Sequence, residues 1–177
     1  MDATDYMKHW SQRQVWTHYA WPKHQARFNI LGELCIGPRA IDVGCCYGHS
    51  TEELAKRYRA EWAGLDFDAG AIMKAKELFP ERAFYYAPDH HLFEVCGTWD
   101  SVICSEVLEH IADDSHFVSA LKSIVGSRLI ISTPSQRVSD PGHLRVYTRA
   151  SLQELFKDWK ETALFIEGPY FFGVFEP

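Results

Sequence analysis

Two carboxylates and an imidazole stand together as E-x-x-E-H at Glu106, Glu109 and His110, and a second imidazole, His143, follows in STPSQRVSDPGHLRVYT. On a helix, positions i, i+3 and i+4 share one face, so the first three side chains are expected to converge. Two carboxylates plus two imidazoles can hold Mg²⁺, Mn²⁺ or Zn²⁺ and leave positions open for a substrate diol. Without a metal, His110 or His143, with an ordinary pKa of roughly 6.5, is the best candidate to take a proton from an acceptor. His9, His18, His24, His90 and His91 have no comparable context and read as surface or packing residues.

A second concentration of chemistry lies in AIDVGCCYGHSTEEL, which runs from a strand-like run through a glycine-containing loop into a helical pattern. Such a join sets backbone N–H groups and a positive helix end at the carboxyl edge of a sheet, where α/β folds bind ligands. Gly44 and Gly48 permit tight turning and close ligand approach, because neither carries a Cβ atom. Asp42, at the strand end, can accept hydrogen bonds from loop amides or from a ligand amine. Asp66 ends the next strand, near the spacing of roughly 20 residues at which an acid reaches a ribose hydroxyl. Taken alone, a G-x-x-x-G loop is weak evidence and is also compatible with a purely structural turn.

These residues need a scaffold that gathers strand ends. RAIDV (39–43), EWAGLD (61–66), RAFYYA (82–87), DSVICS (100–105) and SRLIIS (127–132) are short, apolar and rich in branched or aromatic residues, the pattern of strands in a covered parallel sheet. Helical patterns occupy 50–59, 69–79 and 106–125, with a short turn of helix at 90–95. Their alternation predicts right-handed crossovers in an open α/β sheet. Thr148, three residues before Ser151, marks a capped helix start in TRASLQELFKDW. TALFIE and YFFGVF, separated by Gly168 and Pro169, predict a closing antiparallel hairpin. Residues 4–34 read as amphipathic helices, and their aromatic residues Tyr6, Trp10, Trp16, Tyr19 and Trp21 read mainly as packing.

Together these features resemble the class I S-adenosylmethionine-dependent methyltransferases, whose first motif is D-x-G-x-G-x-G and whose second strand ends in a ribose-binding acid. The matching positions are Asp42, Gly44, Cys46, Gly48 and Asp66. Cys46 replaces the middle glycine and fits without a shift of the loop only at φ below zero. The resemblance runs on through DFDAGAIMKAKE, the loop after YYA and TWDSVICSEVLEHIAD, and so covers nearly the whole chain. It implies an α/β fold: a Rossmann-like, seven-stranded, mostly parallel sheet with helices on both faces and a C-terminal antiparallel hairpin.

The resemblance further implies S-adenosyl-L-methionine as cofactor, contacted by Arg27, Asp42, Gly44, Cys45, Gly48, Asp66, Phe67, Asp89 and Ser105. Among these, Arg27 would meet the methionine carboxylate and Asp89 the adenine amine, while Asp100 would be structural. The EVLEH segment resembles two metal-using groups, the ubiquinone-pathway O-methyltransferases and the small-RNA 3′-terminal 2′-O-methyltransferases. Carried over, the metal ligands would be Glu106, Glu109, His110 and His143. Similar strings occur in methyltransferases that use no metal, where the histidine is structural or a general base. The implied activity is methyl transfer to an oxygen or nitrogen of a small-molecule acceptor, in a pocket built from the amino-terminal segment and residues 134–148. Methylation of an RNA 3′ end and a non-catalytic cofactor-binding or partner-stabilising module are the alternatives. A nicotinamide-dependent oxidoreductase would need a G-x-G-x-x-G loop, which this chain lacks.

Composition sets the outer limits. With 177 residues, 46% hydrophobic and 24% charged, a single domain is expected, divided into a helical lid segment (1–34) and a Rossmann-like core (35–177). A net charge of -6 offers no broad basic surface for nucleic acid, although Arg137, Arg145 and Arg149 could form a local patch. No apolar run approaches the roughly 20 residues of a membrane span, and the amino terminus lacks the apolar core of a signal peptide, so the cytosol is the expected compartment. Cys35, Cys45, Cys46, Cys96 and Cys104 form an odd set without C-x-x-C spacing and read as reduced, small apolar residues.

Overall fold

Alternate residues of the strands feed two separate apolar layers, which is why their sequences are apolar on both faces. The computed structural model describes residues 19–88 and 92–177. In β1 (Arg39–Val43), Ile41 and Val43 enter one layer and Ala40 the other. The same opposition sets Leu65 against Trp62 in β2 (Glu61–Asp66), next to β3 (Ala83–Tyr86). It sets Val102 and Cys104 against Ile103 in β4 (Trp99–Ser105), and Leu129 and Ile131 against Ile130 in β5 (Val125–Pro134). With β6 (Lys160–Glu167) and β7 (Tyr170–Glu176) these strands form one sheet in the order β3-β2-β1-β4-β5-β7-β6.

Strands β1 to β5 run parallel, whereas β7 is antiparallel to both β5 and β6. This is the Rossmann-like sheet with a closing hairpin that the sequence predicts. The chain first builds outward from β1 to β3, then returns to β4 and β5. The carboxyl ends of β1 and β4 therefore flank the switch point, the place where open α/β sheets take their ligands.

Helix α1 (Pro22–Leu34) starts at Pro22, whose fixed φ suits a first helical turn. Its Phe28 and Leu31 pack with Leu54 of α2 (His49–Ala55) under one face of the sheet. Helix α3 (Ala69–Leu78) is capped by the Asp68 carboxylate, which accepts from the Ala71 N–H at 2.6 Å. The opposite face is covered by α4 (Leu92–Cys96), α5 (Asp114–Ile124) and α6 (Arg149–Leu155), through Leu92, Phe117, Leu121 and Leu152. Thr148 caps α6 as predicted, in a reciprocal box with Ser151. No described helix is long and apolar enough to cross a membrane.

Two predicted helices need correction. The one expected over 50–59 ends at Ala55, where the Arg57 guanidinium takes the Glu53 carbonyl oxygen. More consequential for the site, the helix expected over 106–125 is broken. Glu106 stands at φ +59°, Leu108–His110 make a single 3₁₀ turn, and Ile111 is extended. The helix restarts at Asp114 because the Asp113 side chain accepts from the His116 N–H at 3.0 Å, a local bond that competes with helix continuation.

Candidate active site

The glycine loop is fastened to the end of β2. The N–H groups of Gly44 and Cys45 both donate to the Leu65 carbonyl, at 2.8 and 3.1 Å. Gly44 and Gly48 turn the chain at φ +83° and +81°. A Cβ on Gly44 would lie 2.3 Å from Val107 Cγ2, and one on Gly48 2.6 Å from Phe84 Cζ. Glycine is therefore demanded here by the protein's own packing as well as by the turn.

Cys46 does not meet the condition of a negative φ: its φ is +49°. The conformation is imposed by Asp66, whose Oδ2 accepts the Cys46 N–H at 2.8 Å. Burial, and next the Asp66 charge, push the Cys46 thiol up to about 12, so it is no thiolate at neutral pH. A residue with a Cβ in this region is strained by roughly 1–2 kcal/mol, part of which glycine's greater unfolded-state entropy would offset. Cys46→Gly is expected to stabilise the protein by about 0.5–1 kcal/mol, read from the midpoint of urea unfolding. A midpoint that falls would contradict the strain.

Asp66 closes β2 with both oxygens engaged, Oδ1 accepting from the Asp68 N–H at 2.9 Å. Each carboxylate oxygen retains a second lone pair, so two hydroxyls can still be accepted. Burial raises this carboxyl to about 6. Phe67, immediately after it, is exposed, and so is Tyr86, the residue paired beside Asp66 in β3. Sequence reasoning missed Tyr86; its signal was the register of β3, which is set only when the strands pair. Asp42 does not bind the loop amides. Its Oδ2 accepts from Ser50 Oγ at 2.6 Å and Thr51 Oγ1 at 2.9 Å, anchoring the first turn of α2. Asp89, with the other candidates at residues 1–18 and 89–91, lies outside the described residues.

Across the switch point, Ser105 and Ser132 are paired in register, and their hydroxyls meet at 2.7 Å. Ser132 Oγ also donates to Glu106 Oε1 at 3.1 Å, and Glu106 Oε2 lies 3.5 Å from Arg27 Nη1. Arg27 is 5% exposed and its guanidinium carbon sits 5.0 Å over the Tyr170 ring. Its Nε has no hydrogen-bond partner among the described residues. Tyr19, read from sequence as packing, meets Phe28 edge-on at 5.3 Å, and its carbonyl accepts from the Gln25 side-chain amide at 2.6 Å.

Glu109 is fully buried: Oε2 accepts from Thr133 Oγ1 at 3.2 Å, while Oε1 has no partner among the described residues. Its carbonyl accepts the Leu144 N–H at 2.8 Å, which fixes the 135–148 loop over the β4 and β5 ends. The His110 ring nitrogen Nδ1 lies 2.9 Å from the Gly142 carbonyl and so donates to it, leaving the lone pair on Nε2. The His143 ring stands nearly perpendicular to His110 at 4.5 Å. One ligand atom each from Glu109, His110 and His143 lie within 4.8 Å of one another.

The expected four-ligand cluster is thus corrected. Because Glu106 departs from the expected helical path at a positive φ, its carboxylate turns to Arg27 and Ser132 instead of joining the other three. Burial, with the charge of Glu106 added, pushes the Glu109 carboxyl well above its usual range. Burial lowers both imidazoles, which are therefore neutral at pH 7.

The remaining residues singled out by sequence have structural roles. Asp100 sits at the opposite edge of the sheet, accepting from the Arg39 N–H at 3.0 Å. Arg145 pairs with Asp114 and Arg149 with Glu161, so two members of the supposed basic patch are already neutralised. The five cysteines are unbridged, four of them buried. A hollow of about 780 Å³ lies between α1 and α2, beside Gln25 and Arg57, and another of about 770 Å³ beside Lys122 and Trp159; neither includes Asp66 or the histidine pair.

Residues 41–128 match the family model described as a methyltransferase domain. A probable S-adenosylmethionine-dependent methyltransferase of Mycolicibacterium smegmatis is 25% identical over 150 residues, covering 79% of this chain and 58% of that protein. A ubiquinone biosynthesis O-methyltransferase of Acinetobacter baumannii is 29% identical over 126 residues, covering 63% and 53%. The chain thus spans about half the length of the curated relatives it matches. Among solved structures, the TehB-like S-adenosylmethionine-dependent methyltransferase of Corynebacterium glutamicum shares the fold at a TM-score of 0.69, with 18% identity and 97% and 98% of the two chains covered. With the loop, the acid at the end of β2 and the strand order all in agreement, the chain belongs to the class I S-adenosylmethionine-dependent methyltransferase family.

Proposed function

We propose that this protein binds S-adenosylmethionine and methylates an oxygen of a small-molecule acceptor. The observation that carries the reading is Asp66: a buried carboxylate at the end of β2 that pins the glycine loop through the Cys46 N–H and keeps lone pairs for two ribose hydroxyls. Other groups fit the same ligand. Arg27 offers a buried Nε–H, unpartnered among the described residues, to a carboxylate, Phe67 and Tyr86 offer apolar faces to a base, and Gly44, Cys45, Gly48 and Ser105 border the space between. Asp42 acts indirectly, by holding α2 against the loop.

When bound, S-adenosylmethionine supplies a methyl group already activated by its sulfonium, so alignment and proton removal remain for the protein. The 135–148 loop, tied down through Glu109, carries His143 to the β4 and β5 ends, and neutral His143 or His110 can accept a proton from an acceptor hydroxyl. In this reading the acceptor is held by this loop together with the described part of the amino-terminal segment, residues 19–34, within a single domain, and the reaction takes place in the cytoplasm.

A second reading is favoured by one specific observation, the buried Oε1 of Glu109, without a partner among the described residues, beside two imidazoles. Glu109, His110 and His143 would hold a divalent cation such as Zn²⁺, Mn²⁺ or Mg²⁺, which supplies Lewis acidity toward an acceptor hydroxyl. The Nδ1–H bond of His110 to Gly142 is the outer contact that orients a ligating imidazole.

The test is calorimetry with S-adenosylhomocysteine, then methyl transfer to a panel of small alcohols, phenols and amines, before and after exhaustive chelation. Binding with turnover is expected. Failure to bind overturns the reading, and binding without turnover on small molecules or an RNA 3′ end favours a non-catalytic module. Metal content in the wild type that falls in Glu109→Ala, with activity lost on chelation, supports the cation; unchanged activity after chelation removes it.

A further inference from the structure

Glu106 resembles a metal ligand in sequence, yet it stands apart from the three residues that can share an ion and faces a buried arginine instead. We propose that Glu106 is a positioning residue that holds Arg27 in the orientation that receives the carboxylate of the cofactor's amino-acid tail. The inference rests on the cofactor reading above.

The backbone supplies the first argument. Glu106 adopts φ +59°, a left-handed conformation unfavourable for a residue with a Cβ. The turn is anchored by its N–H, which donates to the Ser132 carbonyl at 2.9 Å. Leaving the helical path is what points the side chain away from His110 and His143 and toward α1.

The side chain supplies the second. Its two oxygens are divided between different tasks: Oε1 is held by Ser132 Oγ, itself fixed by Ser105, and Oε2 faces Arg27 Nη1. A carboxylate so held on one oxygen cannot rotate freely, and its other oxygen gives a fixed point for the guanidinium.

Arg27 supplies the third. A guanidinium this deeply buried needs a counter-charge, and Glu106 provides it. Tyr170 and Phe28 bracket the group at 5.0 and 5.2 Å, so its plane is set by packing. A guanidinium presents five N–H donors in a rigid fork, and Glu106 Oε2 lies 3.5 Å from the Nη1 arm of it. The Nε–H, without a partner among the described residues, offers another edge to a second carboxylate. The amino-acid tail of S-adenosylmethionine carries an ammonium beside that carboxylate. Glu106 therefore meets a zwitterion and does not repel the tail as a whole.

The test compares two compounds by calorimetry: S-adenosylhomocysteine, and 5′-methylthioadenosine, which keeps the nucleoside and thioether but lacks the amino-acid tail. Glu106→Gln is expected to weaken S-adenosylhomocysteine about tenfold and to change 5′-methylthioadenosine by less than about twofold. Arg27→Met should lose at least as much for the tailed compound, and the double variant should bind it no more weakly than Arg27→Met alone. Retained binding of 5′-methylthioadenosine reports that each variant is folded. Equal losses for both compounds, unchanged or tighter binding of the tailed one, additive losses in the double variant, or loss of bound Zn²⁺ in Glu106→Gln would each overturn the proposal. A wild type that binds neither compound defeats the cofactor reading itself; one that binds both equally well defeats this inference alone.

Discussion

Asp66→Ala will weaken the binding of S-adenosylhomocysteine by about 100-fold or more. Two separate functions end with the carboxylate. Its oxygens hold the Cys46 and Asp68 N–H groups at 2.8 and 2.9 Å, so the glycine loop loses its tie to β2 and Cys46 loses the bond that keeps it at a positive φ. The ribose loses its acceptor at the same time. Hydrogen bonds to a charged group contribute roughly 1.5–3 kcal/mol each, so the loss of two hydroxyl contacts alone accounts for the factor. Calorimetry on the purified variant reads it directly, and a loss of less than about tenfold would mean that Asp66 only shapes the loop.

The same residue predicts a pH dependence with a definite sign. Burial raises the Asp66 carboxyl from its ordinary 3.8 to about 6. The ligand needs the ionised form, so affinity is full well above pH 6 and falls as pH drops through 6, approaching tenfold per pH unit below it. Folding runs the other way: a raised pKa in the folded state favours the protonated form, so this group's contribution to stability is largest below 3.8 and is lost as pH rises through about 6. Ligand binding offsets that loss. In a titration from pH 5 to 8, a wild-type profile as flat as that of Asp66→Ala would count against the assignment.

Gly44→Ala will be the most damaging single methyl group in the loop, destabilising the protein by about 3 kcal/mol and lowering Tm by roughly 6–12 °C. Two terms add. The φ of +83° disfavours any L side chain by roughly 1–2 kcal/mol, and the new Cβ would stand 2.3 Å from Val107 Cγ2. Gly97 isolates the first term, because it has φ +66° and, among the described residues, nothing within 4 Å of where its Cβ would lie. Gly97→Ala should therefore be the milder substitution. Adding Val107→Ala to Gly44→Ala should recover the steric part but not the backbone part. If thermal melts rank Gly44→Ala no worse than Gly97→Ala, the contact with Val107 is not what demands glycine.

The order of strands and helices was legible because each element announces itself locally. RAIDV and EWAGLD became β1 and β2 without a shift of boundary, since apolar residues on both faces between polar turns fit little else. Gly168 and Pro169 split the last apolar run into a hairpin for an equally local reason. The segment EVLEHIADD misled because Val107, Leu108 and Ile111 continue a helical period, while the bonds that break it come from Asp113 next door and from Ser132 on another strand.

By itself, then, the amino-acid sequence determined the kind of sheet, the place of the glycine loop, and the acid that ends β2, all of which follow from side-chain pattern and turn chemistry along a few neighbouring residues. Only the tertiary structure decided which acid meets which base. Glu106 belongs to Arg27, Glu109 to the two histidines, and Asp42 to the hydroxyls of α2 because β4 and β5 pair in one register and α1 docks against their ends. Those distances join residues far apart in the chain, where no periodicity reaches.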